Sequence, residues 1–234
     1  MTRISHGNPS RYFWSETNMN DTQMGRYLTE REWGLIAGAL GRHDFPELVL
    51  DVGGGDGRFA VRLSSGGVRA IILELDPVPI RELMCRGWDE LVVVGDGRRL
   101  PFRDACFDAA MVVEVPFREP IAHLLAEWRE VLKTGGILML TTHNAVSMIG
   151  LERLARPSKY RLTSGEYADT YWSVKDAILG TGFEVLEVHG FRWVFASRKS
   201  RSRFVPLWAY LERLLRLDRL PWIAPWIFWV ARKS

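Results

Sequence analysis

The chain has 234 residues, 47% hydrophobic and 25% charged, a balance that fits a globular protein with a sizeable core and excludes a disordered or fibrous one. Two cysteines, Cys85 and Cys106, are too few for a disulfide scaffold and lack zinc-type spacing, so they read as reduced thiols of a cytoplasmic protein and no metal is expected. The net charge of +3 hides an asymmetry: from Arg192 onward ten Lys/Arg oppose only Glu212 and Asp218, a balance of +8, while residues 1–191 carry −5.

The first ten residues lack the apolar stretch of a signal peptide. The longest apolar run, Pro221 to Ala231, is too short to span a bilayer, so neither export nor a transmembrane segment is expected. Residues 1–28 are polar and aromatic without clear period, and a disordered arm, a strap on the core and a lid over a site all fit them, although their aromatics disfavour full disorder. Thr29-Glu30-Arg31-Glu32 has the form of a capping box, and Trp33, Ile36, Ala37 and Leu40 follow at helical spacing, predicting a helix over about 29–41.

From Leu48 the pattern alternates. Strand 48–52 precedes a helix at 57–64, strand 69–75 a helix at about 78–86, strand 91–95 a loop, and strand 107–113 a helix at about 119–133; strand 136–142 closes the run. Apolar strands alternating with amphipathic helices predict a parallel sheet covered on both faces, with its ligand site beyond the C-terminal strand ends. Between the first strand and its helix lies Asp51-Val52-Gly53-Gly54-Gly55-Asp56-Gly57, a turn too rich in glycine for ordinary side chains. Glycine serves where backbone takes positive φ or approaches a ligand closely, and the amides of the following helix start point outward as donors. The carboxylates of Asp51 and Asp56 suit an amine-bearing ligand better than a bare pyrophosphate. Strict G-x-G-x-x-G spacing also fails at Arg58 and Phe59, which disfavours a dinucleotide oxidoreductase.

After the fifth strand the rhythm breaks. Residues 143–172 hold a short helical piece (Val146 to Leu154) and a polar stretch with Tyr160, Tyr167, Tyr171 and Trp172, a candidate lid or substrate wall. A helix from Ser173 to Gly180, a strand at 183–188, a helix over 204–217 and a last strand over 227–232 follow. In that late helix Phe204, Leu207, Trp208, Leu211, Leu214 and Leu215 share one side, with arginines elsewhere. There is no repeat, low-complexity linker or clear domain boundary.

Asp51-x-Gly53-x-Gly55-x-Gly57 after a strand resembles the first motif of the class I S-adenosylmethionine-dependent methyltransferases. The resemblance continues through Glu74-Leu75-Asp76, Gly95-Asp96-Gly97, Leu100-Pro101-Phe102, Phe107-Asp108 and Arg129 to Gly136, with Thr134 where proline is usual, and more loosely through Gly182-Phe183-Glu184-Val185 and Val230 to Lys233. It implies an α/β, Rossmann-like, doubly wound seven-stranded sheet, mostly parallel with an antiparallel last strand and helices on both faces. On that reading residues 1–47 form an aromatic arm and helix acting as cap or lid. Residues 48–234 form the methyltransferase domain, with a lid inserted at about 143–172 and a helical insertion at about 200–220.

The implied cofactor is S-adenosyl-L-methionine. Gly53, Gly55 and Gly57 would let backbone approach it, Asp51 would accept from its ammonium group, Asp76 from both ribose hydroxyls with Glu74 the weaker candidate, Asp96 would bind the adenine amino group and the Gly97 amide would lie near the ring. His143, after the fifth strand, is the candidate general base, with a pocket-lining role as its alternative. Glu114, after the fourth, would meet the methionine end or an amine substrate, or anchor its loop. Tyr12, Trp14, Tyr27, Tyr160, Tyr167, Tyr171 and Trp172 would form an aromatic substrate chamber, or simply pack. The function so implied is methyl transfer to a small molecule, most often at oxygen. A lipid or lipid-linked acceptor at a membrane, and a non-catalytic binding protein that keeps the fold, are the alternatives. No nucleic-acid module is recognised, and peripheral membrane contact through the basic, tryptophan-rich C-terminal region is one reading of the tail.

Overall fold

A computed structural model describes residues 21–43, 46–115, 117, 119–155, 169–194 and 196–234. In chain order the elements are α1 (Gln23–Arg42), β1 (Leu48–Val52), α2 (Ala60–Ser65), β2 (Arg69–Glu74), α3 (Pro77–Cys85), β3 (Val92–Val94), β4 (Phe107–Val112), α4 (Ile121–Val131), β5 (Leu132–His143), α5 (Met148–Ala155), α6 (Tyr171–Gly180), β6 (Phe183–Phe191), α7 (Val205–Leu214), a 3-10 turn at Leu217–Arg219 and β7 (Trp226–Lys233). They build one seven-stranded sheet in the order β3-β2-β1-β4-β5-β7-β6. Strands β1 to β5 are mutually parallel, and β7 runs antiparallel to both β5 and β6. The strand order reverses between β1 and β4, the place where an open α/β sheet leaves a crevice for ligand.

Strand alternation divides the core between the two faces. Val49, Met111, Met139, Phe228 and Val230 face the layer that includes α1, α2 and α3. Leu50, Ala110, Leu140, Ile227 and Trp229 face the layer that includes α4 and α6. Such period-two alternation with both sides apolar is what a sheet covered on both faces requires.

Two local departures from the sequence reading have clear causes. Helix α1 starts six residues before the supposed capping box, because the Thr22 hydroxyl accepts the Gly25 amide (2.9 Å) and so caps the helix there. Met24 and Leu28 then extend the apolar stripe into the core. In α7 the expected apolar side is not the buried one: only Val205, Ala209 and Glu212 are buried, packing the helix along α1.

Candidate functional site

The C-terminal ends of β1, β2, β3 and β4 meet around the glycine turn. Gly53 has φ +70°, and a Cβ there would stand 2.6 Å from Val115 Cγ2, so only glycine lets the chain turn beneath the loop after β4. Gly55 has φ +56° and open space where its Cβ would be. The turn is fastened from below, since the amides of Gly53 and Gly57 donate to the carbonyls of Leu73 (2.7 Å) and Gly54 (2.9 Å). Gly57 also takes positive φ, and its carbonyl accepts the Val61 amide (3.0 Å) in the turn that leads into α2.

The acidic residues at the strand ends divide their tasks in a way the sequence did not reveal. Asp51 is buried beneath the turn, and its Oδ2 has no hydrogen-bond partner among the described residues. Burial pushes its carboxyl up to about 7, against the pull of Arg58 and with help from Glu74 and Asp56. Glu74 reaches the turn from β2: Oε2 accepts the Gly55 amide (3.0 Å) and Oε1 the Asp76 amide (3.0 Å). Burial raises its carboxyl, offset by those amides. Asp76 instead caps α3, with Oδ1 accepting from Val78 N at 2.8 Å. Asp76 thus serves the helix start, while both Glu74 oxygens hold backbone amides at the glycine turn and the end of β2.

Asp96, beyond β3, is held by the Arg98 side chain, which donates to both of its oxygens and also to Glu119 (2.8 Å). The guanidinium keeps the Asp96 carboxyl below its ordinary value. A Cβ at Gly97 would meet Val52 Cγ1 at 2.7 Å and the Phe117 ring at 3.0 Å, so two apolar groups wall that backbone, while its carbonyl accepts from Trp128 Nε1 (2.9 Å).

Beyond β4 the chain turns through Glu114, whose φ is +60° and whose amide donates to Thr141 Oγ1 (2.8 Å). That positive φ at a non-glycine residue is a strained conformation fixed by its surroundings. The buried Glu114 carboxylate lies between Arg58 (3.4 Å) and Arg198 (3.1 Å), and Arg58 in turn faces Glu32 of α1 at 3.1 Å. Glu32 is fully buried, and desolvation together with the charge of Glu114 pushes its carboxyl up to about 8 although Arg58 and Arg198 oppose this. The Arg198 and Arg192 guanidiniums also lie over the Trp226 ring, 4.8 and 4.7 Å from its centroid.

His143 stands edge-on to Trp226 with 5.0 Å between ring centroids. Together with Glu114, Thr141, Asp169 and Phe117 it lines a small cleft between the ends of β4 and β5. Asp169, whose carboxyl is raised by burial, gave no signal in the sequence. Glu32 was hidden inside an apparent capping box, and Arg58 stood out only as the residue that breaks a glycine spacing.

Tyr27 is not in this cleft's lining. Its hydroxyl donates to Glu212 and accepts the Arg192 amide (3.2 Å), so it ties α1 to α7. Tyr171 stacks on Trp229 at 5.2 Å and meets Trp172 edge-on, and Trp172 itself is exposed. Tyr171 thus packs on β7 at the start of α6, which Thr170 opens with a capping box, and Trp229 pairs with Leu140 of the cleft lining. Tyr12, Trp14, Tyr160 and Tyr167 lie outside the described residues.

Residues 50–140 match the family model of the methyltransferase domain. Over 114 residues, 46% of this chain, the sequence is 28% identical to the malonyl-[acyl-carrier protein] O-methyltransferase of Xylella fastidiosa (strain M23). Over 150 residues, 62% of this chain, it is 31% identical to the enzyme of the same name from Herminiimonas arsenicoxydans. The matches span 39% and 56% of those relatives' lengths. Among solved structures, the fold is similar to a chain in the complex between the Haloferax volcanii Trm112 methyltransferase activator and the putative methyltransferase, with TM-score 0.67 at 17% identity, covering 98% of this chain and 100% of that one. Residues 50–140 thus match a methyltransferase domain, and the seven-stranded sheet built around them has the fold of the class I S-adenosylmethionine-dependent methyltransferases.

The residues present fit that class's cofactor. A buried carboxyl oxygen without a partner among the described residues suits an ammonium group, the open space before Gly55 admits a ligand against bare backbone, and carboxylates end the next two strands.

Proposed function

We propose that the chain is an S-adenosylmethionine-dependent methyltransferase that methylates an oxygen of a small or acyl-linked acceptor. The observation that carries the cofactor half of this reading is Asp51 Oδ2, without a partner among the described residues, beneath the turn at the β1/β4 crevice. On this reading Asp51 meets the ammonium group, and Gly53 and Gly55 offer backbone to the amino-acid end. Glu74, more than Asp76, holds the ribose hydroxyls. Asp96 takes the adenine amino group, releasing part of its Arg98 contact, with Gly97 and the Phe117 ring beside the base. The bound cofactor would supply an electrophilic methyl group; the protein's share is alignment and exclusion of water.

Oxygen as acceptor is favoured by the two relatives named as O-methyltransferases. A carboxylate oxygen needs no base, whereas a hydroxyl does, and His143 in the cleft would serve it. Glu114, clamped between two arginines, is better suited to shape the loop than to take a proton.

Titration calorimetry with S-adenosylhomocysteine should show saturable one-site binding; flat heats would remove the proposal. Cofactor turnover against carboxylic acids, acyl thioesters bearing a free carboxyl, alcohols and amines then tests the acceptor. Methylation of amines alone would refute the oxygen assignment while leaving the cofactor site intact.

A further inference from the structure

Helix α7 is turned inside out. Its buried stripe is Val205, Ala209 and Glu212, so the one acid of the helix faces inward, where it accepts from Tyr27 and lies 3.8 Å from Arg31. Leu207 and Leu214, on the opposite side of the helical turn, are 52% and 60% exposed, and Trp208 beside them is 56% exposed. Scattered apolar residues on a surface need no explanation, but a helix that buries its carboxylate and exposes its leucines and tryptophan does.

The apolar side continues past the helix. Trp222 and Ile223 are exposed in the turn before β7, and the buried Asn144 fastens that turn to the start of α5 by donating to the carbonyls of Trp222 (3.0 Å) and Ala224 (3.1 Å). Asn144 follows His143, so this surface borders the cleft. Its charge has one sign: Lys199, Arg201, Arg203, Arg213, Arg216 and Arg219 are all exposed. The only carboxylates in this stretch are Glu212, turned inward, and Asp218, 3.8 Å from His189. No helix among the described residues is long and apolar enough to cross a membrane.

We propose that α7 and the 222–223 turn form a membrane-binding face that lies in the headgroup region of an anionic bilayer, with the cleft opening beside it. Leucine and tryptophan side chains enter the acyl boundary, the arginines meet anionic headgroups, and the inward Glu212 removes the one acid of α7 that would oppose them. Charge complementarity selects a lipid surface over a second copy of this basic face, which would repel itself.

The test is sedimentation of the full chain with phosphatidylcholine vesicles, with and without phosphatidylglycerol. The protein should pellet with the mixed vesicles and much less with phosphatidylcholine alone. Leu207→Glu with Leu214→Glu should abolish pelleting. Arg203→Ala, Arg213→Ala and Arg219→Ala together should weaken it on the order of a hundredfold. These side chains are exposed, so circular dichroism melts should match the parent protein. As a second measure, bromolipid quenching of tryptophan fluorescence should drop in Trp208→Phe and Trp222→Phe. Equal failure to pellet with both vesicles would overturn the proposal. So would pelleting that survives the double glutamate variant, or a dimer in sedimentation velocity that the same variant dissolves.

Discussion

Glu74 takes two backbone amides at the glycine turn while Asp76, two residues on, caps a helix, and this separation predicts different losses. Glu74→Gln should weaken S-adenosylhomocysteine binding by about 1.5–3 kcal/mol, the range for a hydrogen bond to a charged acceptor. Asp76→Ala should leave that affinity nearly unchanged and lower folding stability by about 1 kcal/mol, the usual cost of a lost N-cap. Calorimetry and urea melts on the two variants separate the roles, and a larger binding loss for Asp76→Ala would return the ribose to that residue. Glu32 makes a pH prediction. Its carboxyl is raised from 4.5 to about 8 in the folded protein, so the proton it retains stabilises the fold fully below pH 4.5, and that contribution is lost as pH rises toward 8. Glu32→Gln keeps an acceptor for Arg58 but cannot ionise. The variant should gain stability relative to the parent as pH rises from 4.5 to 8, measured by urea unfolding at a series of pH values; a constant difference would mean that Glu32 is ionised throughout. Asp51, Gly53 and Gly55 were legible in the sequence because a turn's needs are local. Glu32 was not, because Arg58, Glu114 and Arg198 make its environment from three distant parts of the chain.

At the scale of elements, β1 was legible to the residue and β2, β3 and β4 to within a residue at either end, since apolar runs bounded by glycine and charge carry their own boundaries, whereas β5 starts at Leu132, four residues before the expected 136 and inside the expected helix. Helix α1 was truncated in the reading because Thr29 and Glu32 imitate a capping box, whereas the real cap, Thr22, also donates to the carbonyl of Arg198 (2.9 Å), a partner no local pattern reveals. The apolar side of α7 was visible; that it faces outward was not, because the choice of buried stripe was made by Tyr27 and Arg31 holding Glu212. Asn144 supplies the prediction here. Its fully buried side chain joins β5 and α5 to the turn before β7, and its Oδ1 accepts the Val146 amide (3.2 Å). Asn144→Ala would strand buried carbonyls, and unfolding free energy should fall by about 1–3 kcal/mol. A loss of a few tenths would show that water replaces the amide without penalty.

For the whole molecule, the crevice between β1 and β4 joins strands from the first and second halves of the sheet, so a ligand there should stabilise all of it. S-adenosylhomocysteine at a hundred times its dissociation constant should add about 2.7 kcal/mol, which for a domain of this size is about 5–10 °C in the thermal midpoint. A differential scanning trace unmoved by the ligand would contradict a single cooperative unit organised around that crevice. The position of β7 has a further consequence. Its residues from Trp226 to Ala231 are buried, and it lies between β5 and β6, both of which precede it in the chain. On the ribosome, therefore, β5 and β6 emerge with no strand to join them, and each presents an unpaired apolar edge until residues beyond Trp226 leave the exit tunnel. The first five strands can assemble during synthesis, but closure of the sheet waits for its last strand, which makes the nascent chain a natural client for chaperones over that interval.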